Sequence, residues 1–251
     1  MDTFFEKDRL PYVCSPITGQ TKEQIKNEIH VMKQYKPDMI EWRADFFNEL
    51  DNTDEVLHII NEIRSIMDVP LLFTIRSNVE GGNPISLSES KKVDLICLIC
   101  KHSSVSLVDY EACNDSEYVQ KIKQVARKNG KRLILSYHNF QETPENEELL
   151  NRLKIAETYG ADVAKLAVMP KSEEDVFRLL SITKQADQSM SIPVITMAMG
   201  ELGRISRMLG WLYGSVLTFG VGVQSSAPGQ LPIQDLKQYI HTTKQLLRSA
   251  K

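Results

Sequence analysis

The sequence predicts a single (β/α)8 barrel, and three observations carry that prediction. Eight strand-like segments alternate with helical patterns along 251 residues. No linker rich in Pro, Gly or Ser and no shift in composition divides the chain, so one domain over residues 1–251 is expected. Eight βα units in about 250 residues match such a barrel in count and size. A doubly wound sheet is the alternative, but it advertises a glycine-rich first turn, and SPITGQTKEQ holds one glycine.

The elements follow in order. PYVCSPI (11–17) is the first strand, and Thr21-x-x-Gln24 opens a helix whose apolar face begins with Ile25, Ile29 and Met32. DMIEWRAD (38–45), PLLFTIRS (70–77) and VSLVDYEA (105–112) are the next three strands, each apolar early and charged late. Gly130 closes a helix before KRLILSYHNF (131–140), the fifth strand. Thr143-Pro144 reads as the cap and first-turn proline of the next helix, which Gly160 ends. DVAKLAVMP (162–170) is the sixth strand and Ser172-x-x-Asp175 an acidic helix start, with IPVITMAMG (192–200) and VLTFGVG (216–222) completing the set.

Composition excludes several classes. The formal charge of −3 is carried by interspersed residues, which leaves no basic stripe for nucleic acid. No run approaches the ~20 apolar residues of a membrane span, and MDTFFEKDRL has no apolar targeting region. A soluble, cytoplasmic chain with a small-molecule partner is expected. Cys97 and Cys100 form a CxxC inside the apolar helical run VDLICLICKH, with no second ligand pair, and read as buried core. No His/Cys/Asp/Glu cluster has ligand spacing, so no metal is expected.

The site of a barrel lies at the C-terminal ends of its strands, and this chain gathers its charges there. Glu41 and Arg43 end the second strand, Arg76 the third with Glu80 in the EGG loop beyond, Asp109 and Glu111 the fourth, and His138 the fifth. Lys165 stands within ADVAKLAVMP, on the face of Val163, Ala167 and Met169. If that face is the barrel interior, desolvation among apolar neighbours favours a neutral amine, which attacks carbonyls. The competing reading pairs Lys165 with a carboxylate or lets it snorkel to a strand end. His138, on the adjacent strand, is placed to move protons beside it, or is a hydrogen-bonded structural histidine. Carboxylates and guanidiniums converging on one mouth suit a polar, anionic, hydroxylated substrate, unless each pair is a buried ion pair.

EWRADFF, FTIRSNVEGG, SYHNFQETP, AKLAVMP, ITMAMGELGRISR and WLYGSVLTFG followed by SSAPGQLP closely resemble, in order and spacing, the type I 3-dehydroquinate dehydratases. The resemblance runs from about Pro11 to the C-terminus. It implies a barrel lyase that converts 3-dehydroquinate to 3-dehydroshikimate in the shikimate pathway, without metal or cofactor, through a Schiff base. It implies Lys165 as the imine-forming residue, His138 as general acid and base, and Glu80 as the group that orients His138. Arg207 of the ISR motif would hold the substrate carboxylate. Glu41, Trp42, Arg43 and Arg76 belong to the substrate-binding motifs. Ser226 and Gln230 would lie on a lid, Ser15 at the pocket border, and Met197, Met199 and Phe219 in the pocket wall, or simply in the core.

A homodimer is the habit of that family. Only ten residues precede Pro11, so the N-terminal hairpin of many members is expected to be reduced or differently arranged, and a stand-alone form is expected. A class I aldolase would need the same lysine but not the EWR, RSxxEGG and SSAPGQ set together. A barrel that only binds a metabolite would be expected to lose Lys165 or His138.

Overall fold

The structure is a computed structural model that describes residues 4–5 and 10–249. The expectation about the N-terminal cap falls largely on residues 1–3 and 6–9, outside the described residues. Eight parallel strands form the barrel: β1 (Tyr12–Ile17), β2 (Met39–Arg43), β3 (Leu71–Thr74), β4 (Leu107–Glu111), β5 (Arg132–Asn139), β6 (Val163–Val168), β7 (Val194–Ala198) and β8 (Leu217–Val221). Around them lie α1 (Lys22–Tyr35), α2 (Thr53–Ile66), α3 (Glu89–His102), α4 (Ser116–Lys128), α5 (Asn146–Thr158), α6 (Glu173–Ser189), α7 (Arg204–Leu209) and α8 (Ile233–Ser249). All eight strands expected from the sequence are present.

Pairing runs β7-β6-β5-β4-β3-β2-β1-β8. The ring closes through one bridge, Val194 with Ser215, where Val216 N donates to Val194 O at 3.0 Å and Thr196 N to Ser215 Oγ at 3.1 Å. A two-residue strand, β9 (Leu231–Pro232), pairs beside β8 and was not foreseen.

Strand periodicity sorts the side chains. One apolar residue from each strand, Cys14, Met39, Leu72, Leu107, Ile134, Val163, Ile195 and Leu217, faces inward to form a floor, with Phe5 packed among them. Two residues further along β2 to β8 the side chains face inward again, now at the mouth: Glu41, Thr74, Asp109, Ser136, Lys165, Met197 and Phe219. The intervening residues face outward and pack against the helices; Trp42, Phe73, Val108, Leu135, Ala164 and Leu166 share that layer with Ile25, Ile29 and Met32 of α1.

The helix starts rest on side-chain caps. Thr21 accepts from Gln24 N and Ser172 from Asp175 N, as the sequence implies, and Asn52, Ser88 and Asp115 act in the same way. Thr143-Pro144 is the exception. It lies in the loop before α5, whose cap position is Glu145 without a side-chain cap bond, and Arg178 of α6 donates to the carbonyls of Thr143 and Pro144 at 3.4 and 3.3 Å. Cys97 and Cys100 are buried free thiols on α3.

Candidate active site

A cavity opens at the C-terminal ends of the strands. All the residues expected at the site line it except Ser15 and Trp42; Gly81, Phe140, Ala167 and Ala227 complete the lining. Trp42 is an outward-facing residue of β2, wedged edge-on between Phe47 and Phe73 with ring centroids 5.9 and 5.6 Å away, so alternation carries it away from the mouth. Ser15 is buried in the wall, where its Oγ donates to Gly220 O at 2.9 Å and ties β1 to β8.

Lys165 does not stand among apolar groups alone. Its Nζ lies 3.1 Å from Asp109 Oδ2 and 3.7 Å from Glu41 Oε1, and 4.8 Å above the Phe219 ring. The pairing that its own strand left open comes from neighbouring strands at the same level. Asp109 also receives Arg76 Nη2 and Ser136 Oγ, both at 2.6 Å. Burial raises Asp109, but Arg76 and Lys165 outweigh it and hold its carboxyl below the ordinary range. Arg76 reaches Glu111 at 3.1 Å, and Lys92 of α3 meets the other Glu111 oxygen at 2.7 Å. Arg43 forks onto Asp45 at 2.9 and 2.8 Å.

His138 Nδ1 lies 2.8 Å from Glu80 Oε2, which also accepts the His138 backbone N–H at 3.0 Å. Burial pushes Glu80 up to about 7, and burial, followed by Arg76, Lys165 and Arg43, holds His138 well below its ordinary value. A neutral imidazole that donates Nδ1–H to a carboxylate leaves Nε2 as a base. The EGG motif makes this contact possible. Gly81 is left-handed (φ 83°) and a Cβ there would stand 2.2 Å from the Phe140 ring, while one on Gly82 would stand 2.0 Å from Arg76 O.

Arg207 on α7 is 1% exposed and differs from every other cation at the mouth. Its Nη2 donates to Pro228 O at 3.1 Å, its Nη1 lies 3.7 Å from Met197 Sδ, and its Nε has no partner. Among the described residues no carboxylate pairs with it, and burial pushes it down to about 10. Over it lies the loop of residues 222–230. Ser226 O accepts from Arg43 at 3.4 Å, and Gln230 exchanges hydrogen bonds with Ser226 N and Oγ at 3.1 and 3.2 Å. The loop can approach Gly200 because Gly229 has no side chain: a Cβ there would stand 2.1 Å from Gly200 O.

The cavity therefore presents an amine, a base oriented by a carboxylate, and a buried cation without a counter-charge in a wall of Met197, Met199 and Phe219. Such a site can hold a small anion, condense with its carbonyl and move protons. Among the described residues no group of His, Cys, Asp and Glu is arranged to hold a metal ion. The sequence places Asp109 at a strand end and Ser136 on the strand face of His138 without giving either a role, and it does not single out Asp45. The signal for Asp109 and Ser136 was their position two residues above the floor.

The family model described as type I 3-dehydroquinase matches residues 13–247. A 3-dehydroquinate dehydratase of Geobacillus thermodenitrificans is 48% identical over 231 residues, 92% of this chain and 90% of that protein. The crystal structure of the 3-dehydroquinate dehydratase of Geobacillus kaustophilus is similar with a TM-score of 0.92 and 44% identity, over 94% of this chain and 91% of that one. The type I enzyme of Clostridium difficile, crystallised with covalently modified comenic acid, gives 0.88 and 39% over 93% and 92%. The family match over residues 13–247 and the 48% identity across 92% of its length show that this chain belongs to the type I 3-dehydroquinase family.

Proposed function

We propose that the protein dehydrates 3-dehydroquinate to 3-dehydroshikimate in the shikimate pathway, through an imine on Lys165. The observation that carries this reading is the meeting, in one cavity, of Lys165, the His138–Glu80 pair and the uncompensated Arg207. Arg207 takes the substrate carboxylate and seats the ketone at Lys165. The amine adds to the ketone and water leaves, giving an iminium that acidifies the adjacent C2 proton. His138 Nε2 removes that proton to form the enamine, then returns it to the C1 hydroxyl, which departs as water. Hydrolysis of the conjugated imine releases product and restores the amine. The net change is loss of one water. Glu41, Arg43 and Arg76 face the hydroxyls, and Ser226 and Gln230 cover the bound molecule.

The covalent comenic acid adduct in the Clostridium difficile relative supports a covalent site of this kind. Borohydride reduction in the presence of 3-dehydroquinate, followed by peptide mass mapping, tests it: the expected adduct is on Lys165, and no adduct or one elsewhere refutes the mechanism. The same reading takes the enzyme as a cytoplasmic homodimer. Exposed apolar side chains on adjoining helices, Ile205 of α7 with Tyr239 and Leu246 of α8, support a second copy there, and a monomer mass in solution would contradict it.

A further inference from the structure

Cys113, in the turn after β4, has no part in the chemistry described above. It is exposed, yet its Sγ lies 3.2 Å from Glu80 Oε1. The two oxygens of Glu80 have different partners. Oε2 accepts the main-chain N–H and the Nδ1–H of His138. Oε1 meets Cys113, while the nearest guanidinium nitrogen, Arg76 Nη1, is 4.0 Å from Oε2 and donates to Glu111 and Ser136 instead.

We propose that Cys113 is a positioning residue for His138, acting through Glu80: its S–H bond to Oε1 fixes the rotation of the carboxylate and favours its ionised form, so that Oε2 keeps accepting Nδ1–H. The inference rests on the reading of His138 as the acid and base. A neutral Glu80 would donate to Nδ1 and leave the hydrogen on Nε2, and the imidazole would then face the substrate without its lone pair.

The charges around Glu80 make this bond matter. Arg76 faces it from the end of β3, Asp109 and Glu111 from β4, His138 from β5, and Lys165 of β6 acts on His138. Burial pushes Glu80 up to about 7; Arg76 and the thiol bond work against that rise, and Glu111 and Asp109 add to it. Although the residue as a whole is exposed, its thiol is half-shielded where it meets the carboxylate; that shielding and the Glu80 charge push it up to about 12, so it remains a donor throughout the working range. The carboxylate is ionised above its folded value, so loss of the donor raises that value and moves the acid limb of activity to higher pH.

The test compares Cys113→Val, which keeps volume and removes the donor, with Cys113→Ser, which keeps a donor. In the pH profile of kcat/KM for 3-dehydroquinate, the acid limb of the valine variant is expected to move up by about half to one pH unit, while the serine variant stays with the wild type and all three agree at high pH. Imidazole ¹⁵N spectra of the ligand-free proteins give a second reading, with the His138 Nδ1–H tautomer lost at higher pH in the valine variant only. Coincident titrations in wild type and Cys113→Val, or a serine variant that behaves as valine does, overturn the proposal. A wild-type protein with no turnover at any pH overturns the dehydratase reading instead, and the spectra still decide the role of Cys113.

Discussion

The two sides of the mouth handle buried charge in opposite ways. On the β2–β6 side, Arg43, Arg76, Lys92 and Lys165 stand against Asp45, Asp109, Glu111 and Glu41, each cation within 4.0 Å of a carboxylate. On the β7–β8 side, Arg207 stands alone among Met197, Met199 and Phe219. Paired charges fix one another, and removal of one partner leaves a buried ion unmatched. An unpaired buried cation has no counter-charge to fix it; its desolvation costs the fold stability and is offset when an anion arrives. In our reading the first side does the chemistry and the second does the anchoring.

The largest expected effects break the reactive side. Lys165→Ala removes the nucleophile, so the reducible adduct and turnover disappear together while Arg207 can still hold the ligand. His138→Ala removes a proton carrier, a loss of ~10²–10⁴-fold per step, and intact-protein mass should show substrate- or product-loaded enzyme accumulating. Near-normal turnover without adduct would make His138 structural and send the search for the base to Glu80, Asp109 and Glu111. Next comes the ion network itself. Glu111→Gln leaves the fully buried Lys92 with only the half-exposed Glu89 at 3.7 Å, and denaturant titration should show a loss of about 3–5 kcal/mol.

The anchoring side should respond with the opposite sign. Arg207→Ala should weaken binding by about 1.5–3 kcal/mol, and Arg207→Lys should recover only part of it because the planar fork is gone. Arg207→Met should bind as poorly and yet unfold about 2–4 °C higher, since an unmatched buried charge has been replaced by an apolar side chain. A lower melting temperature in that variant would show that the contacts to Pro228 and Met197 stabilise the fold more than the buried charge destabilises it.

The barrel was legible because each strand and each break between strands is a local signal, read from periodicity and from residues such as Gly130 and Ser172. The list of residues at the mouth was legible through strand alternation and family motifs. What the sequence hid were the partnerships across strands. The strand of Lys165 leaves open whether the lysine is desolvated or paired with a carboxylate, and the answer, Asp109 and Glu41, reaches it from two other strands. Trp42 was misplaced for a related reason, since a motif names consecutive residues and a strand sends them to opposite faces. Thr143 does not cap α5, and its carbonyl instead accepts from Arg178 of α6, a tertiary contact that no local rule contains.

The single bridge that closes the ring has a kinetic meaning. Neighbouring strands elsewhere in the barrel share three to six paired positions, whereas β7 joins the segment leading into β8 through one bridge, Val194 with Ser215. Partial opening of a sheet follows its cheapest break, and here that break runs between the two strands that carry Met197 and Phe219, beneath the segment that holds Arg207. On the proposed reading a ligand held at Arg207 sits beside that seam, so its added contacts are expected to slow opening there.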